Sequence, residues 1–295
     1  MTVFILLTIT GLGLAALYFL VASGLSLIYG LMDVLNFAHG VFLTIGAYAT
    51  WWTSQRLEII GSPTLRFVVA VLVGMLVGGA VAALVEVVFI RPLYGQHVGQ
   101  ILVTVGLGLA LTALLRAIFT PDARAFPAPD WMGETTQVFG AAVPNSRFVA
   151  IAAALAVYAG LVTFLKRTRY GLIIRAGVEN RDMVRALGIN VTRAFTLVFA
   201  IGGMAAALGG AIGGAYFTSI NPEQGGGLLI FAFIVTIIGG LGSLRGAAIA
   251  SVLVGLLQQY ANFYALVGAG DLIVVLLLAF VLLLRPEGIG GRAAP

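Results

Sequence analysis

Cysteine is absent from this 295-residue sequence. That excludes disulfides, thiolate metal sites and cysteine nucleophiles. Lysine is nearly absent: Lys166 stands alone, preceded by Phe164 and Leu165. A P-loop needs G-x-x-x-x-G-K-[S/T], so the chain carries none. Charge of either sign is scarce, at 9% of residues, against about 25% in soluble domains. A soluble fold of this length would lack the polar residues to cover its surface. Histidine is limited to His39 and His97, on different segments and with no carboxylate at ligand spacing. No Ser–His–acid arrangement is legible. Catalytic, cofactor-binding and metal-binding residues are therefore not expected.

What is present is apolar: 61% of residues are hydrophobic. A membrane-spanning helix needs about 20 consecutive apolar residues. Charge-free runs of that order recur at Met1–Met32, Val34–Gln55, Phe67–Val85, Val98–Leu115, Phe148–Leu165, Ala194–Asn221, Gly225–Leu244 and Gly246–Gly270, and a shorter run, Leu272–Leu284, follows. Only helices and closed barrels satisfy their own backbone in lipid. Barrel strands would alternate polar and apolar residues over about ten positions, and these runs are longer and apolar all round. The expected fold is an all-α, polytopic transmembrane bundle of eight to ten segments, forming one transmembrane domain over 1–295. The first basic residue is Arg56, so a cleaved signal, which opens on a basic stretch, is not expected.

The net charge of +5 would suggest nucleic acid in a soluble protein. Here the basic residues cluster between apolar runs, as the positive-inside rule requires, and no nucleic-acid partner is expected. Segment 166–193 holds Lys166, Arg167, Arg169, Arg175, Arg181, Arg185 and Arg193. It is read as a cytoplasmic loop, which makes 120–147 a periplasmic loop. Arg56, Arg66, Arg124 and Arg147 then fall on the outer side.

Three constellations carry potential chemistry. Asp33, Asn36, His39 and Gly40 fall where one run ends and the next begins. If helical, Asp33, Asn36, Phe37 and Gly40 share a face at i, i+3, i+4 and i+7. Such a polar stripe either lines a pathway or bonds neighbouring helices. In the basic loop, Asn180 is a good N-cap, Asp182 sits in the first turn and Gly188 suits a C′ position. Met183, Val184 and Leu187 form an apolar face beside Arg181 and Arg185. This reads as a short amphipathic helix, lying on headgroups or in a partner's groove. Gln258, Gln259 and Asn262 place amides inside the eighth run, where helix-to-helix bonding and solute contact are both open. Glycine is abundant, at 39 residues. The pairs Gly74/Gly78, Gly209/Gly213 and Gly210/Gly214 have the spacing of close helix packing. Ionisable residues such as Asp33, Glu86, Arg116 and Asp271 sit near predicted segment ends. Ion-coupled carriers keep such groups within their spans, so the energy for uphill movement is expected from a partner.

These residues carry a family pattern. Gly24-Leu-Ser-Leu-Ile-Tyr-Gly-Leu-Met-Asp-Val-Leu-Asn-Phe-Ala-His-Gly40 resembles the opening signature of the LivH-type permeases of branched-chain amino acid ABC importers. Glu86–Leu93, Gly177–Asn190, Ile238–Ser243 and Arg285–Gly288 agree with it in order. The chain departs at Arg245, where the family commonly has proline. The resemblance implies a second, LivM-type permease, two ATP-binding subunits that carry ATP and Mg, a periplasmic substrate-binding protein, and a place in the bacterial inner membrane. It implies that Glu179, Asn180, Arg181, Met183, Val184, Arg185, Leu187 and Gly188 form the element that couples to an ATPase. It makes Asn36, Phe37, His39 and Gly40 candidates for the translocation path, beside Gln258 and Asn262, whose amides inside the eighth run already leave solute contact open. Its relatives handle branched-chain amino acids, urea, short amides or aromatic acids. A secondary carrier or channel for a small solute is the alternative reading.

Overall fold

A computed structural model describes residues 1–179, 183–184, 188, 191–266 and 268–290. Among them, each charge-free run of the sequence is a helix: α1 (Thr2–Met32), α2 (His39–Arg56), α3 (Pro63–Val85), α4 (His97–Phe119), α6 (Asn145–Arg167), α8 (Val191–Phe217), α9 (Gln224–Gly239), α10 (Leu244–Tyr264) and α11 (Ala269–Leu284). Two shorter helices, α5 (Asp130–Gly133) and α7 (Arg169–Glu179), lie between them. α3 runs on through a π turn at Glu86–Ile90 and a 3-10 turn at Arg91–Leu93.

Fewer of these helices are full spans than the run count predicts. Five are long and apolar enough to cross a membrane: Thr2–Met32, Pro63–Leu93, His97–Phe119, Asn145–Arg167 and Val191–Phe217. The α9/α10 pair, bent by 119°, makes a possible sixth. Freedom from charge is not the same as apolarity. α2 carries Thr44, Thr50, Thr53, Ser54 and Gln55 and is largely shielded inside the protein. α11 has 16 residues, about 24 Å of helix, against an apolar layer of about 30 Å.

Burial sorts the helices into layers. In the most apolar stretch of α8, 67% of residues are buried, and 50% in α1, but only 11% in α4 and 17% in α6. α1 and α8 therefore form the centre, while α4 and α6 present apolar flanks outward. Small residues permit the central contact: a Cβ on Gly24 would lie 2.5 Å from the Gly202 carbonyl oxygen. The same close packing occupies Gly78 against Ala207 and Gly214 against Phe126. Gly213 differs, since a Cβ there would make only ordinary contact.

Two ends of the bundle can be told apart. At one, β1 (Arg124–Ala125) pairs antiparallel with β4 (Ser219–Ile220). A hairpin of β2 (Thr135–Val138) and β3 (Ala141–Pro144) turns at Phe139 and Gly140, both at positive φ. Such tight turns suit the strand twist. Segment 120–147 is thus a folded cap. Trp51 donates to the Ala125 carbonyl at 3.2 Å, and Arg147 to that of Tyr216 at 2.9 Å. At the other end gather the π turn, the start of α8 and the glycine turn after α9. There Gly240 and Gly242 have positive φ, and Ser243 caps α10 by accepting from the Gly246 N–H at 3.1 Å. This is a helix-to-helix turn, and the chain past α11 closes it. Ile289 and Gly290 donate to the last carbonyls of α9, Ile238 and Gly239, at 2.8 and 3.0 Å.

Candidate functional site: a broken segment beside a charged cleft

The chain leaves α1 at Asp33, which takes a left-handed φ of 51° and donates its N–H to Tyr29 O at 2.9 Å. Aspartate tolerates that conformation better than most residues. The stretch 33–38 is not helical, so the four-residue stripe expected from helical spacing does not form. The carboxamide of Asn36 shapes it instead: Oδ1 accepts the Ala38 N–H at 3.0 Å, and Asn36 O accepts from His39 N at 3.2 Å. His39 opens α2 with Nε2 3.1 Å from the Val21 carbonyl. A carbonyl only accepts, so Nε2 carries the proton. Asn36 and His39 are fully buried. Both act as braces, tying the break to α1 and to its own turn.

The break lies at membrane depth. Leu35 and Phe37 sit beside Thr104 and Gly108 of α4, about 10 and 16 Å along that helix at 1.5 Å per residue. Irregular backbone at such depth survives only where protein buries it or where it lines a cavity. Both conditions apply here. The Phe37 ring packs tilted against Phe233 of α9, with centroids 4.9 Å apart. Phe37 and Gly40 also form one wall of a cleft of about 480 Å³ between α2, α4 and the start of α9. Gly40 lets α2 touch α9: a Cβ there would lie 2.5 Å from the Gly225 carbonyl oxygen. Thr44 Oγ1 seals the crossing by accepting the Gly225 N–H at 3.1 Å.

Arg116 and Glu223 form an ion pair on the cleft wall, both partly exposed. Sequence reasoning placed Arg116 at a segment end and gave Glu223 no role. Their separation of 107 residues leaves no local signal of the pairing. Gly226 and Gly227 complete the wall, and a Cβ on either would meet nothing within 4 Å.

Gln258 and Asn262 lie away from this cleft. Gln258 accepts from Tyr18 Oη at 2.6 Å and donates to Asp271 Oδ1 at 2.6 Å. Asn262 Oδ1 accepts the Gly270 N–H at 2.8 Å. Both join α10 to neighbouring helices.

A second charged cluster lies at the opposite end. Glu86 is fully buried. It accepts from Arg91 Nη2 at 3.0 Å, from Thr196 Oγ1 at 2.7 Å and from the Tyr94 hydroxyl. Burial first, and the carboxylate second, push the Tyr94 phenol above its usual range, so it remains a proton donor. This network ties the end of α3 to the start of α8, next to the segment expected to couple. Of that segment, Asn180, Arg181, Arg185 and Leu187 lie outside the described residues, as does the side chain of Glu179. Met183 is exposed, Val184 is buried, and Gly188 has φ +75°. α7, just before it, is a helix that the loop reading did not anticipate.

Among the described residues no group of three or more His, Cys, Asp or Glu could hold a metal ion. A multi-pass helical bundle with an irregular, buried segment opening on a cleft defines a membrane permease. The family described as "Branched-chain amino acid transport system / permease component" matches residues 7–284, and the chain belongs to it. It is 29% identical over 289 residues to the high-affinity branched-chain amino acid transport system permease protein LivH of Escherichia coli (strain K12), covering 96% of this chain and 94% of that one. It is 28% identical, with the same coverage, to the protein of that name from Salmonella typhimurium. With the permease protein BraD of Pseudomonas aeruginosa it shares 29% over 290 residues, again 96% and 94%. No solved structure matches the chain.

Proposed function

We propose that this chain is one membrane subunit of an ATP-driven importer for branched-chain amino acids in a bacterial inner membrane. The single observation that supports this best is the broken segment 33–38, held at membrane depth by Asn36 and His39 and opening through Phe37 and Gly40 on a cleft. Such a break is costly in lipid unless protein buries it or it lines a cavity, and this one opens on the cleft. The substrate class follows from the names of the relatives, and the aliphatic cleft wall agrees with it.

The chain has no P-loop lysine, so ATP and Mg belong to two partner ATPases. A second, LivM-type permease completes the path, and a periplasmic binding protein delivers the solute. The basic end of the bundle faces the cytoplasm. There the segment from Glu179 to Gly188 seats on an ATPase, and the Glu86 network passes its movement to α3 and α8. Reorientation of the two permeases then exposes the cleft to alternate sides. Co-purification tests the assembly. A tagged chain extracted in mild detergent is expected to bring down a second permease and two P-loop ATPases, and recovery of the chain alone would overturn the reading.

A further inference from the structure

The cleft between α2, α4 and α9 has a division of character that packing alone does not require. Phe37, Val41, Val105, Leu109 and Leu229 make one part aliphatic and aromatic, while Arg116 and Glu223 make another part charged. The side chains of the two charged residues are 48% and 65% exposed. An ion pair so exposed contributes little to stability, between zero and about 1 kcal/mol. Packing therefore offers no strong reason for a chain this poor in charge to keep both ions on one wall.

The pair has a chemical use that a single charge would not have. A guanidinium matches a carboxylate in two parallel hydrogen bonds, and a carboxylate accepts from an ammonium. An α-amino acid carries those two groups on one carbon, so its two ends can replace Arg116 and Glu223 as each other's partners. The exchange replaces one ion pair by two, so no charge is left without a partner. The start of α9 is bare of side chains at Gly226 and Gly227, which leaves room beside the pair for a solute. The cleft volume of about 480 Å³ lies within the usual range for small-molecule sites, roughly 300–1,000 Å³.

We propose that this cleft takes up an apolar α-amino acid as its zwitterion, with the carboxylate on Arg116, the ammonium on Glu223 and the side chain against Phe37 and Leu229. The proposal rests on the amino-acid importer reading above. Because the pair re-forms when solute leaves, the site releases its cargo readily, as a transport site must.

The cysteine-free chain allows a direct test in the complete transporter in membrane vesicles. Thr112→Cys, or Ala113→Cys should the first fail to reach the membrane, places a thiol on the cleft wall for a small maleimide. L-leucine is expected to slow labelling at least fivefold. 3-Methylbutylamine and 4-methylpentanoate, which each lack one of the two charges, are expected to leave it unchanged. Arg116→Gln and Glu223→Gln should each abolish the protection by leucine, and Arg116→Lys should keep part of it. Equal protection by all three compounds would overturn the zwitterion site in favour of apolar binding alone. Unprotected labelling in vesicles that still take up leucine would overturn the site and leave the importer reading standing. Absence of branched-chain amino acid uptake by the parent complex would remove the importer reading and the site with it.

Discussion

Two ion pairs at opposite ends of this bundle are built to opposite specifications. Glu86 is completely buried and takes hydrogen bonds from Arg91, Thr196 and Tyr94. Glu223 is 65% exposed and has Arg116 as its ion-pair partner. A carboxylate removed from water survives only when its lone pairs are all engaged, so the Glu86 end works as a fixed joint between α3 and α8. A carboxylate left exposed beside a cleft has few fixed partners to lose, so the Glu223 end suits contact with a solute. Position along the bundle separates the two roles, with the joint near the basic segments and the exchangeable pair beside the cleft.

Removal of one partner from each pair should break this comparison most visibly. Arg91→Met strands the buried Glu86 carboxylate and is expected to cost about 3–5 kcal/mol, read as a large drop in the melting temperature of the detergent-solubilised complex. Glu223→Gln should cost under about 1 kcal/mol by the same measurement, while leucine uptake falls sharply. Similar melting shifts for the two variants would end the distinction. The next effect in size concerns the crossing of α2 and α9. Gly40→Val forces a side chain against the Gly225 carbonyl, 2.5 Å from where its Cβ would lie. Overpacking of this kind costs about 1–3 kcal/mol. Its mark should be loss of uptake together with lower stability, seen by comparing melting temperature with initial uptake rate. The smallest expected effect on stability comes from Gly226→Leu. Its Cβ enters open space, and replacing a helical glycine gains up to about 1 kcal/mol. Uptake should nevertheless fall, because the new side chain fills the cleft. A Gly226→Leu transporter with normal uptake would show that solute bypasses this wall.

Much of this was readable before any coordinates. Each charge-free run became a helix, and the glycine-rich stretch from Gly239 to Gly246 became a turn between helices. The polar signature from Asp33 to Gly40 marked the place of interest. Its geometry was not readable. Helical spacing put Asp33, Asn36, Phe37 and Gly40 on one face, but Asp33 ends the helix in a left-handed conformation, and the following residues bond to their own turn. The family resemblance made Asn36 and His39 path candidates; in the structure both are buried within the protein and hold the break in shape. The count of spans fell short of the count of runs because α2 is shielded by protein and α9 and α11 are short.

Composition and the lengths of the apolar runs determined by themselves that this is a multi-pass protein built of membrane helices. Those properties depend on solvent and on backbone hydrogen bonding, which act residue by residue along the chain. Tertiary structure alone decided which distant polar groups meet. Arg116 and Glu223 are 107 residues apart, and Arg91 and Thr196 are 105 apart. Neither pairing leaves a periodic trace, since a side chain's electrostatic partner depends on distance in space. The cleft arose in the same way, from where α2 starts, where α4 passes and where α9 begins.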